Sequence, residues 1–523
     1  MNIEKLNLSE TGTFSPIFLD YINNKDTLQK FHSRRPDLKS FEKQLQEKTF
    51  SQASRQRLQA VLRKQYTSVA QPTEVTQNIE KLGDSKTFTV TTGHQLNIFT
   101  GPLYFIYKIV TTINCCKQLN EAYPEYHFVP VYWMASEDHD FEEINHFHLF
   151  GNDYSWRTDQ KGAVGRFTTE NIQAILDELP GKVEVFNKAY KQHKYLADAV
   201  RCYVNELFGK HGLLVLDADH AELKADFRSV MKDDLVNHSA KKYVEACSKE
   251  LNELDYKTQV FPREINLFYL DEQLRERIEK IGDSFVVLNS ELKFSEAGLM
   301  EALERHPEKF SPNVILRPLY QETILPNLAY VGGPSELAYW LQLKSMFEYY
   351  QLPFPILLPR NFGLVINKSN ERKLNKVPIQ TKDLFLDSQS LIRKFVEANA
   401  ENSLSLNEEQ QEISKVFDAI RSKAIDVDKS LEGLVGKEEK NTLKILHNIE
   451  KRLKKSEEQN QEIHVKQLES LKDKLFPDGS LQERKENFLN FYINNPAFLD
   501  EVLEHFDPLE FCFYILHEEA DES

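Results

Sequence analysis

The chain has few cysteines and no long apolar run, and these absences limit where it can work. No stretch approaches the ~20 apolar residues that a membrane-spanning helix requires. The N-terminal sequence MNIEKLNLSE lacks the apolar segment of a signal peptide. The five cysteines are scattered and form no CxxC pair. We therefore expect a cytoplasmic protein with reduced thiols that does not associate with membranes.

Positive charge is also in short supply. Lys and Arg number 65 against 81 Asp and Glu, which gives a formal net charge of −16. Nucleic-acid binding depends on basic side chains that neutralise phosphates, so this balance argues against a nucleic-acid partner. The glycine-rich turns form neither GxGxxG nor GxxxxGK[ST], so a standard dinucleotide fold and a P-loop are not supported.

What the chain does have is an alternation of short apolar segments with helical ones, which begins at about residue 86. Strands separated by helices predict an α/β fold, in which a parallel sheet is covered on both faces. The predicted strands are Thr87–Thr92, Phe128–Trp133, Leu213–Asp217, Ile265–Leu270, Ser284–Asn289, Ala329–Gly332 and Pro355–Pro359.

Two helix-rich regions interrupt this alternation, and we interpret both as insertions into the core sheet. A chain of 523 residues has room for about two to four domains. The predicted divisions are residues 1–150 for N-terminal helices and the first half of the core, 151–210 for the first insertion, 211–220 for a core strand, 221–310 for the second insertion with two strands, 311–394 for the second half of the core, 395–475 for a helical hairpin, and 476–523 for a tail that packs back on the core.

The segment from 395 to 475 has the heptad pattern of a coiled coil, with apolar residues at spacings of three and four. The polar stretch KKSEEQNQE interrupts it, which favours an antiparallel hairpin with a break near Gly433–Gly436. The helices either pack only within one chain or also pair two subunits, and the long seam favours a homodimer. The apolar positions are Ile413, Phe417, Ile420, Ala424, Val427, Leu431, Leu434, Ile445, Ile449, Leu453, Leu468, Leu471 and Leu475.

The first candidate site is the sequence TGHQ, which follows the first core strand. A glycine lets the backbone approach a ligand closely, and the next helix would offer free N–H groups to a phosphate. His94 can donate to a phosphate oxygen or to a developing charge, and Lys108 can hold an anion. The alternative is a glycine turn with a capping histidine. The candidate residues are Gly93, His94, Gln95, Gly101, Pro102, Tyr104 and Lys108.

The second candidate site is SEDHD, which follows the apolar run VPVYWMA. A buried strand end does not carry this much charge without a use. The carboxylates can grip an ammonium group, bind Mg²⁺, or pair with a histidine as general base. The alternatives are a solvated loop that caps the next helix and a zinc site from His139, His146 and His148, whose spacing matches no recognised motif. We expect catalytic roles for Asp138, His139 and Asp140, together with His94, and substrate contacts from Ser136 and Glu137.

Further candidates follow two later strands and the helical hairpin. YVGGPSE predicts a strand, a tight turn and a helix that begins at the ligand-binding edge of the sheet, and Arg317 is a candidate anion clamp. The alternatives are ordinary turn chemistry with a structural salt bridge and, after the hairpin, a simple hinge. We expect substrate contacts from Arg317, Gln321, Gly332, Gly333, Pro334, Glu336, Tyr339 and Arg360, and cofactor contacts from Gln482 and Arg484.

Taken together, these segments resemble one family, the cysteine-adding enzymes of bacillithiol synthesis. The matching segments keep their order from near the N-terminus to the tail, so the resemblance is far more specific than one short motif. They are TGHQ with GPLYFIYK (92–108), PVYWMASEDHDFEEIN (130–145), LRPLYQE (316–322), YVGGPSELAYW (330–340), PILLPRN (355–361) and LFPDGSLQERKENF (475–488).

The resemblance implies a Rossmann-type nucleotidyltransferase-like core similar to that of class I aminoacyl-tRNA synthetases. The insertions would be connective-peptide-like domains, and the C-terminal α-helical coiled coil would form a homodimer. The implied reaction joins the carboxyl of cysteine to the amine of glucosaminyl malate. ATP, with Mg²⁺, is expected because a carboxylate and an amine do not condense readily in water. TGHQ would lie near the nucleotide or the activated carboxyl, SEDHD would orient and deprotonate the amine, and Lys108, Arg317 and Arg360 would hold malyl carboxylates or phosphate.

Two other functions stay open at this stage. One is a different ATP-dependent aminoacyl transferase on the same core that acts on RNA, which the acidic balance disfavours. The other is a non-enzymatic coiled-coil scaffold whose α/β part binds a metabolite, which the charged SEDHD cluster at a strand end disfavours.

Overall fold

The structure, a computed structural model, describes residues 1–181, 183–400 and 403–518. Its strands are β1 (Asn2–Asn7), β2 (Thr87–His94), β3 (His127–Met134), β4 (His146–Leu149), β5 (Asn152–Ser155), β6 (Leu214–Asp217), β7 (Leu267–Asp271), β8 (Leu274–Ile281), β9 (Ser284–Val287), β10 (Lys293–Ser295), β11 (Phe310–Pro312), β12 (Asn327–Gly332), β13 (Ile356–Pro359), β14 (Phe362–Ile366) and β15 (Cys512–His517).

The α-helices surround the sheets and form the C-terminal arm. They are α1 (Pro16–Ile22), α2 (Leu38–Glu47), α3 (Gln52–Gln65), α4 (Thr73–Lys81), α5 (Tyr104–Ala122), α6 (Ile172–Glu178), α7 (Glu184–Gln192), α8 (Leu196–Phe208), α9 (Ala221–Ala225), α10 (Arg228–Asn237), α11 (Ser239–Glu253), α12 (Glu296–Arg305), α13 (Arg317–Ile324), α14 (Pro334–Leu341), α15 (Lys344–Tyr349), α16 (Lys368–Leu374), α17 (Ser388–Asn399), α18 (Asn407–Val427), α19 (Glu432–Asn460), α20 (Glu462–Leu475), α21 (Gln482–Lys485), α22 (Leu489–Tyr492) and α23 (Phe498–His505). In the described part of the chain, none of these helices has the length and apolar content needed to cross a membrane.

Five parallel strands form the core sheet in the order β13-β12-β2-β3-β6. Along the chain, β2, β3 and β6 extend the sheet in one direction, and β12 and β13 then extend it in the other. The order therefore reverses between β2 and β12. Doubly wound sheets bind their ligands beyond the carboxyl ends of strands at such a switch point. The crevice between the ends of β2 and β12 is thus the expected ligand site.

The core strands lie at the centre because they are apolar on both faces. Strands β12 and β13 are buried along their whole length, as parallel strands covered by helices must be. All seven predicted strands are present, with ends within two residues of those predicted. The predicted α/β fold with a parallel sheet is confirmed.

The two insertions contain more strands than the sequence predicted. The first, between β3 and β6, adds the hairpin β4–β5 to its helices. The second, between β6 and α13, holds a five-stranded sheet in the order β10-β9-β8-β7-β11, of which only β7 and β9 were predicted. Strand β8 was missed because its sequence, LRERIEKI, is mostly charged and one of its two buried positions is Arg275.

The C-terminal arm is an antiparallel hairpin of α18 and α19. Side chains from opposite ends of the two helices meet, with Arg421 against Glu439 and Gln410 against Glu450. The hairpin turns at Asp428, whose carboxylate accepts a hydrogen bond from the amide of the second residue beyond it. The predicted break near Gly433–Gly436 is therefore wrong. Both glycines lie inside α19, because the capping aspartate ends α18 before they are reached.

The tail returns to the core as β15, which lies between β1 and β14. It pairs antiparallel with β1 and parallel with β14. Strand β14 follows β13 after only two residues. The beginning and the end of the described chain therefore share one sheet beside the core.

Candidate active site

A cavity of about 420 Å³ opens at the switch point of the core sheet. It lies against the ends of β2 and β12 and is closed by the first turns of several helices, by residues that precede the first insertion and by residues that follow the second. The predicted residues that line it are Gly93, His94, Gln95, Tyr104, Lys108, Asp138, Arg317, Gly333, Pro334, Glu336, Tyr339, Arg360 and Arg484. The topology therefore brings most of the candidate sites of the sequence to one place.

Lys108 and Glu336 form an ion pair in the cavity wall, with Nζ and Oε2 2.8 Å apart. Lys108 also donates to the carbonyl of Gly93 at 2.5 Å. Glu336 accepts hydrogen bonds from the Gly333 amide at 2.7 Å and the Tyr330 hydroxyl at 2.9 Å. Burial lowers the pKa of Lys108. Burial also opposes ionisation of Glu336, but Lys108 and these hydrogen bonds hold its pKa below the ordinary value. The pair is thus fully engaged and joins β2 to β12.

Two arginines face the cavity without a carboxylate partner among the described residues. Arg317 donates to the Tyr339 hydroxyl at 2.9 Å and to the Gln321 side-chain oxygen at 3.3 Å, and both acceptors are neutral. Arg484, on α21, is exposed at the cavity. A cation held away from water is stabilised by a nearby negative charge. This side of the cavity is therefore suited to an anionic ligand.

Arg360 also lines the cavity, but its charge is already compensated. Its Nη2 lies 2.5 Å from Oε1 of Glu483, and both side chains are buried. The second carboxylate oxygen of Glu483 accepts the Gly363 amide at 3.0 Å. The guanidinium carbon of Arg360 lies 5.3 Å from the centre of the Tyr104 ring. The ion pair between Arg360 and Glu483 attaches α21, and with it Arg484, to the end of the core sheet.

His94 presents a neutral ring to the cavity. Burial, with a smaller effect of Lys108, lowers the pKa of His94 to about 3. Its ring packs 5.3 Å from that of Tyr104 and 5.2 Å from that of Phe105, and Nε2 has no hydrogen-bond partner in the described part of the chain. A neutral imidazole can make a hydrogen bond with a ligand, but such a low pKa makes it a weak proton acceptor.

The SEDHD segment does not act as one cluster, because successive residues face different sides. Asp138 lines the cavity and lies 3.3 Å from Arg275 of β8. Arg275 also donates to Nδ1 of His139 at 2.7 Å and stacks on Phe268, 4.0 Å from the ring centre. His139 and Asp140 are exposed and do not line the cavity. The structure thus brings only Asp138 of the predicted catalytic trio to the site.

Ser136 and Glu137 point into a closed network at the ends of β3 and β6. Ser136 donates to Asp217 at 2.5 Å, and Glu137 forms an ion pair with Lys224, which also lies 2.8 Å from Asp219. Burial raises the pKa of Glu137, an effect that Lys224 opposes. These predicted substrate contacts lie outside the cavity and bind other protein groups instead.

The segment between β2 and α5 is a strained turn. Phe99, Thr100 and Gly101 all have positive φ, at 50°, 71° and 62°, which costs non-glycine residues of order 1 kcal/mol each. A Cβ on Gly101 would lie 2.6 Å from that of Asn97, so the position requires glycine. Asn487 holds the turn by donating to the carbonyls of Phe99 and Gly101 at 2.7 and 2.6 Å. Gly101 therefore shapes the turn and does not line the cavity.

Four other predicted contacts also lie behind the cavity wall. Pro102 follows the strained turn, Gly332 ends β12, and Gln321 is buried behind the arginine it contacts. The side chain of Gln482 bonds both backbone groups of Val365, at 2.8 and 3.0 Å. Gln482 therefore joins α21 to β14, and the structure places it away from any cofactor position in the cavity.

Several cavity residues were not predicted. Tyr330 and Glu143 lie inside the quoted segments YVGGPSE and EDHDFEEIN. They were not selected because the glycine turn and the charged SEDHD residues beside them were the more specific features. The others are Trp133, Ala135, Pro312, Asn313, Val314 and Ser335. The segment 312–314 begins at the end of β11, the last strand of the second insertion's sheet, so only the folded structure could assign it to the site.

No three His, Cys, Asp or Glu side chains in the described residues are arranged to hold a metal ion. His146 and His148 lie on β4, where His148 pairs with Asp153 at 2.8 Å. The zinc alternative therefore has no support from this arrangement.

The strand order, the polar cavity at the switch point and the helical arm define a Rossmann-like α/β protein joined to a coiled-coil module. Two family models match the chain in tandem. "Bacillithiol biosynthesis BshC, N-terminal Rossmann-like domain" matches residues 1–361, and "Bacillithiol biosynthesis BshC, C-terminal coiled-coil domain" matches residues 363–518. The chain belongs to the BshC family of bacillithiol biosynthesis.

Curated relatives match over nearly the full length. The "Putative cysteine ligase BshC" of Flavobacterium psychrophilum is 43% identical and is covered, like this chain, to 99%. The protein of the same name from Cytophaga hutchinsonii is 40% identical, with 98% of each chain covered. The family resemblance seen in the sequence is confirmed. A solved structure from Campylobacter jejuni, titled as a putative arginyl-tRNA synthetase, aligns with 83% of this chain and 100% of its own at 10% identity. Its TM-score of 0.20 is too low to show a shared fold.

Proposed function

We propose that this protein is a cysteine ligase that joins the carboxyl of cysteine to the amine of glucosaminyl malate by an amide bond. The observation that carries the proposal is the switch-point cavity, where uncompensated arginines face a carboxylate-bearing wall. The curated relatives of the chain are named cysteine ligases. The buried or half-buried thiols, none of them in a disulfide within the described residues, are consistent with a cytoplasmic enzyme.

The arginine side of the cavity would bind the anionic groups. Arg317 is rigidly held by Tyr339 and Gln321 and presents a planar donor surface, which suits a carboxylate or a phosphate. Arg484 adds a second charge at the exposed side of the cavity. In this proposal the malyl carboxylates or the transferred phosphate lie between these two arginines, and the paired Lys108 and Arg360 line the same wall.

The opposite side carries Asp138, which would orient the amine substrate. Its carboxylate is fixed by Arg275, so it can accept a hydrogen bond in a defined direction. His94, whose Nε2 has no hydrogen-bond partner within the described residues, and Tyr104, which lines the cavity beside it, would contact the activated carboxyl or the nucleotide.

ATP is proposed as the co-substrate that activates the cysteine carboxyl as an acyl phosphate or acyl adenylate. Activation is needed because the hydroxide that would otherwise leave is a very poor leaving group. The unpaired arginines fit the phosphate groups of the nucleotide. Mg²⁺ would accompany these phosphates and screen their charge, and this chain's own residues bind and orient the reactants.

The test combines purified full-length protein with ATP, Mg²⁺, cysteine and glucosaminyl malate and analyses the products by mass spectrometry. We expect cysteinyl-glucosaminyl malate, with either AMP or ADP released in equal amount. Protein that is folded but forms no product, alone or with cell extract, would contradict the ligase and favour a metabolite-binding scaffold. Activity with an RNA acceptor in place of glucosaminyl malate would favour the aminoacyl transferase.

We also propose that α18 and α19 pair two subunits. The hairpin only half-buries Ile413 and Phe417 of its apolar seam, and Ile420, Leu434, Ile445 and Ile449 remain between 44% and 59% exposed. Such a row of exposed apolar residues on a long hairpin is typical of a helical interface. A second copy of the chain would cover it.

The oligomeric state is tested by light scattering. We expect twice the 61.0 kDa mass of one chain for the unmodified protein and a monomer for the double variant Ile445→Lys and Ile449→Lys. Ile463→Lys is the matched control, because Ile463 is 74% exposed and lies on α20, outside the predicted seam. A monomeric unmodified protein, or a dimer that survives the double variant, would contradict this interface.

A further inference from the structure

Three carboxylates line the cavity, and two of them are already paired. Glu336 is engaged by Lys108, and Asp138 lies 3.3 Å from Arg275. The third, Glu143, has no ion pair and no side-chain hydrogen bond with any described residue. A carboxylate next to a fixed cation is a weaker proton acceptor than an unpaired one, because the cation stabilises its charged form. Glu143 is therefore the carboxylate in the cavity that is available to a ligand.

The backbone at Glu143 is held in place although its side chain is free. Its carbonyl accepts a hydrogen bond from the Asn97 side chain at 3.1 Å, and the next carbonyl, of Ile144, accepts the Ile98 amide at 3.1 Å. These bonds attach the short 3-10 helix Phe141–Glu143 to the segment that follows β2. The side chain is thus presented from a fixed backbone at the edge of the cavity, as a group that receives a substrate should be.

Glu143 lines the cavity together with Tyr104, whose hydroxyl feels its charge. Burial raises the pKa of Tyr104, and the carboxylates of Glu336 and Glu143 raise it further, whereas Arg360 and Arg484 lower it. Glu143 therefore lies within electrostatic range of the same hydroxyl as the cavity arginines. The cavity has a negative group and positive groups on different elements around one central tyrosine, which suits a substrate that carries both an ammonium group and anionic groups.

We propose that Glu143 binds the ammonium group of the amine substrate and accepts its proton. This inference rests on the proposed ligase function. The amine nitrogen attacks the carbonyl carbon of the activated cysteine and forms the C–N bond. The C–O bond to the phosphate or adenylate then breaks, and its electron pair leaves with that group. One proton passes from the ammonium group to the carboxylate of Glu143 before the attack and frees the lone pair of the nitrogen. The second proton, lost as the amide forms, leaves with the released phosphate or AMP group.

The test compares Glu143→Gln with Glu142→Gln in the full-length protein. Glu142 is a matched control because it is exposed on the same short helix but does not line the cavity. Each variant is given cysteine and ATP with one of two nucleophiles, glucosaminyl malate or hydroxylamine. Hydroxylamine is uncharged at neutral pH and needs no base before it attacks, so the yield of cysteine hydroxamate reports carboxyl activation alone.

We expect Glu143→Gln to slow amide formation with glucosaminyl malate by about 100-fold or more, the usual contribution of a general base, and to form hydroxamate at the unmodified rate. Glu143→Asp should recover part of the amide-forming rate, and Glu142→Gln should equal the unmodified protein in both assays. Equal amide formation by the Glu143→Gln and Glu142→Gln variants, or loss of hydroxamate together with amide, would overturn this inference but not the proposed ligase function. An unmodified protein that forms neither product would overturn the proposed function and this inference with it.

Discussion

Two charged clusters lie at the same edge of the core sheet, and they differ in one property. In the closed network after β3 and β6, the carboxylates of Glu137 and Asp219 share Lys224, and Asp219 also pairs with Arg166. In the open cavity between β2 and β12, Arg317 and Glu143 have no partner of opposite charge among the described residues. The density of charge in the sequence is higher in SEDHD than around Arg317. Unsatisfied charge beside a cavity, and not charge density, therefore distinguishes the candidate site from a structural network.

The largest effect is expected in the closed network, from Lys224→Met. The substitution leaves the buried Glu137 without its ion-pair partner, whereas Asp219 keeps Arg166. The unpaired carboxylate should lower the free energy of unfolding by about 3–5 kcal/mol. Urea denaturation measures it. Lys249→Met is the control, because Lys249 is 80% exposed and its contact with Glu253 is long, at 4.0 Å. A loss below about 1 kcal/mol would show that water reaches the network.

In the open cavity, Arg317→Ala should reduce kcat/KM by about 10- to 100-fold, the usual contribution of hydrogen bonds to a charged group, and change stability little. The reason is that Arg317 forms no ion pair among the described residues, and the nearby Glu336 keeps its own partner, Lys108. Steady-state kinetics and urea denaturation are measured together. Arg305→Ala, whose side chain is 71% exposed, provides the control. If stability fell as far as in the Lys224 variant, the contrast between the two clusters would disappear.

His94 makes the stability of the folded protein depend on pH. Its pKa is about 3 in the folded protein and 6.5 by its ordinary value, so between these values the unfolded chain binds an additional proton. Stability from the neutral ring is complete above pH 6.5 and is lost as pH falls. Linkage gives a loss of about 2 kcal/mol between pH 7 and pH 5. His94→Gln should reduce the measured loss by that amount. An unchanged slope would mean that the ring titrates normally.

The smallest effect is expected from Arg484→Ala. Because Arg484 is exposed, its charge is screened, and its removal should weaken substrate binding by only about two- to fivefold. The difference from the unmodified protein should shrink as salt is added. KM measured at low and high ionic strength tests this. A salt-independent loss as large as that of Arg317→Ala would place Arg484 inside the closed site with the substrate.

The features that could be predicted from the sequence are those that depend on residues close together in the chain. The apolar core strands, the cavity residues that follow them and Lys108 one helical turn after Tyr104 could be found from periodicity and from the rule for strand ends. The partners of charged residues could not, because Lys224 and Arg275 come from another part of the chain and their distance to Glu137 or Asp138 exists only after folding. The strained turn was also invisible, since nothing in the types of Phe99 and Thr100 indicates a positive φ.

The two family models meet at residue 362, but several contacts join residues on either side of that border. Asn487 holds the strained turn before α5, Glu483 compensates Arg360, and β15 lies between β1 and β14. Recombination between two related genes at this border would pair each half with a partner that evolved separately. It would deprive Arg360 of its carboxylate wherever the second half differs at Glu483. We therefore expect residues that meet across this border, such as Arg360 and Glu483, to change together.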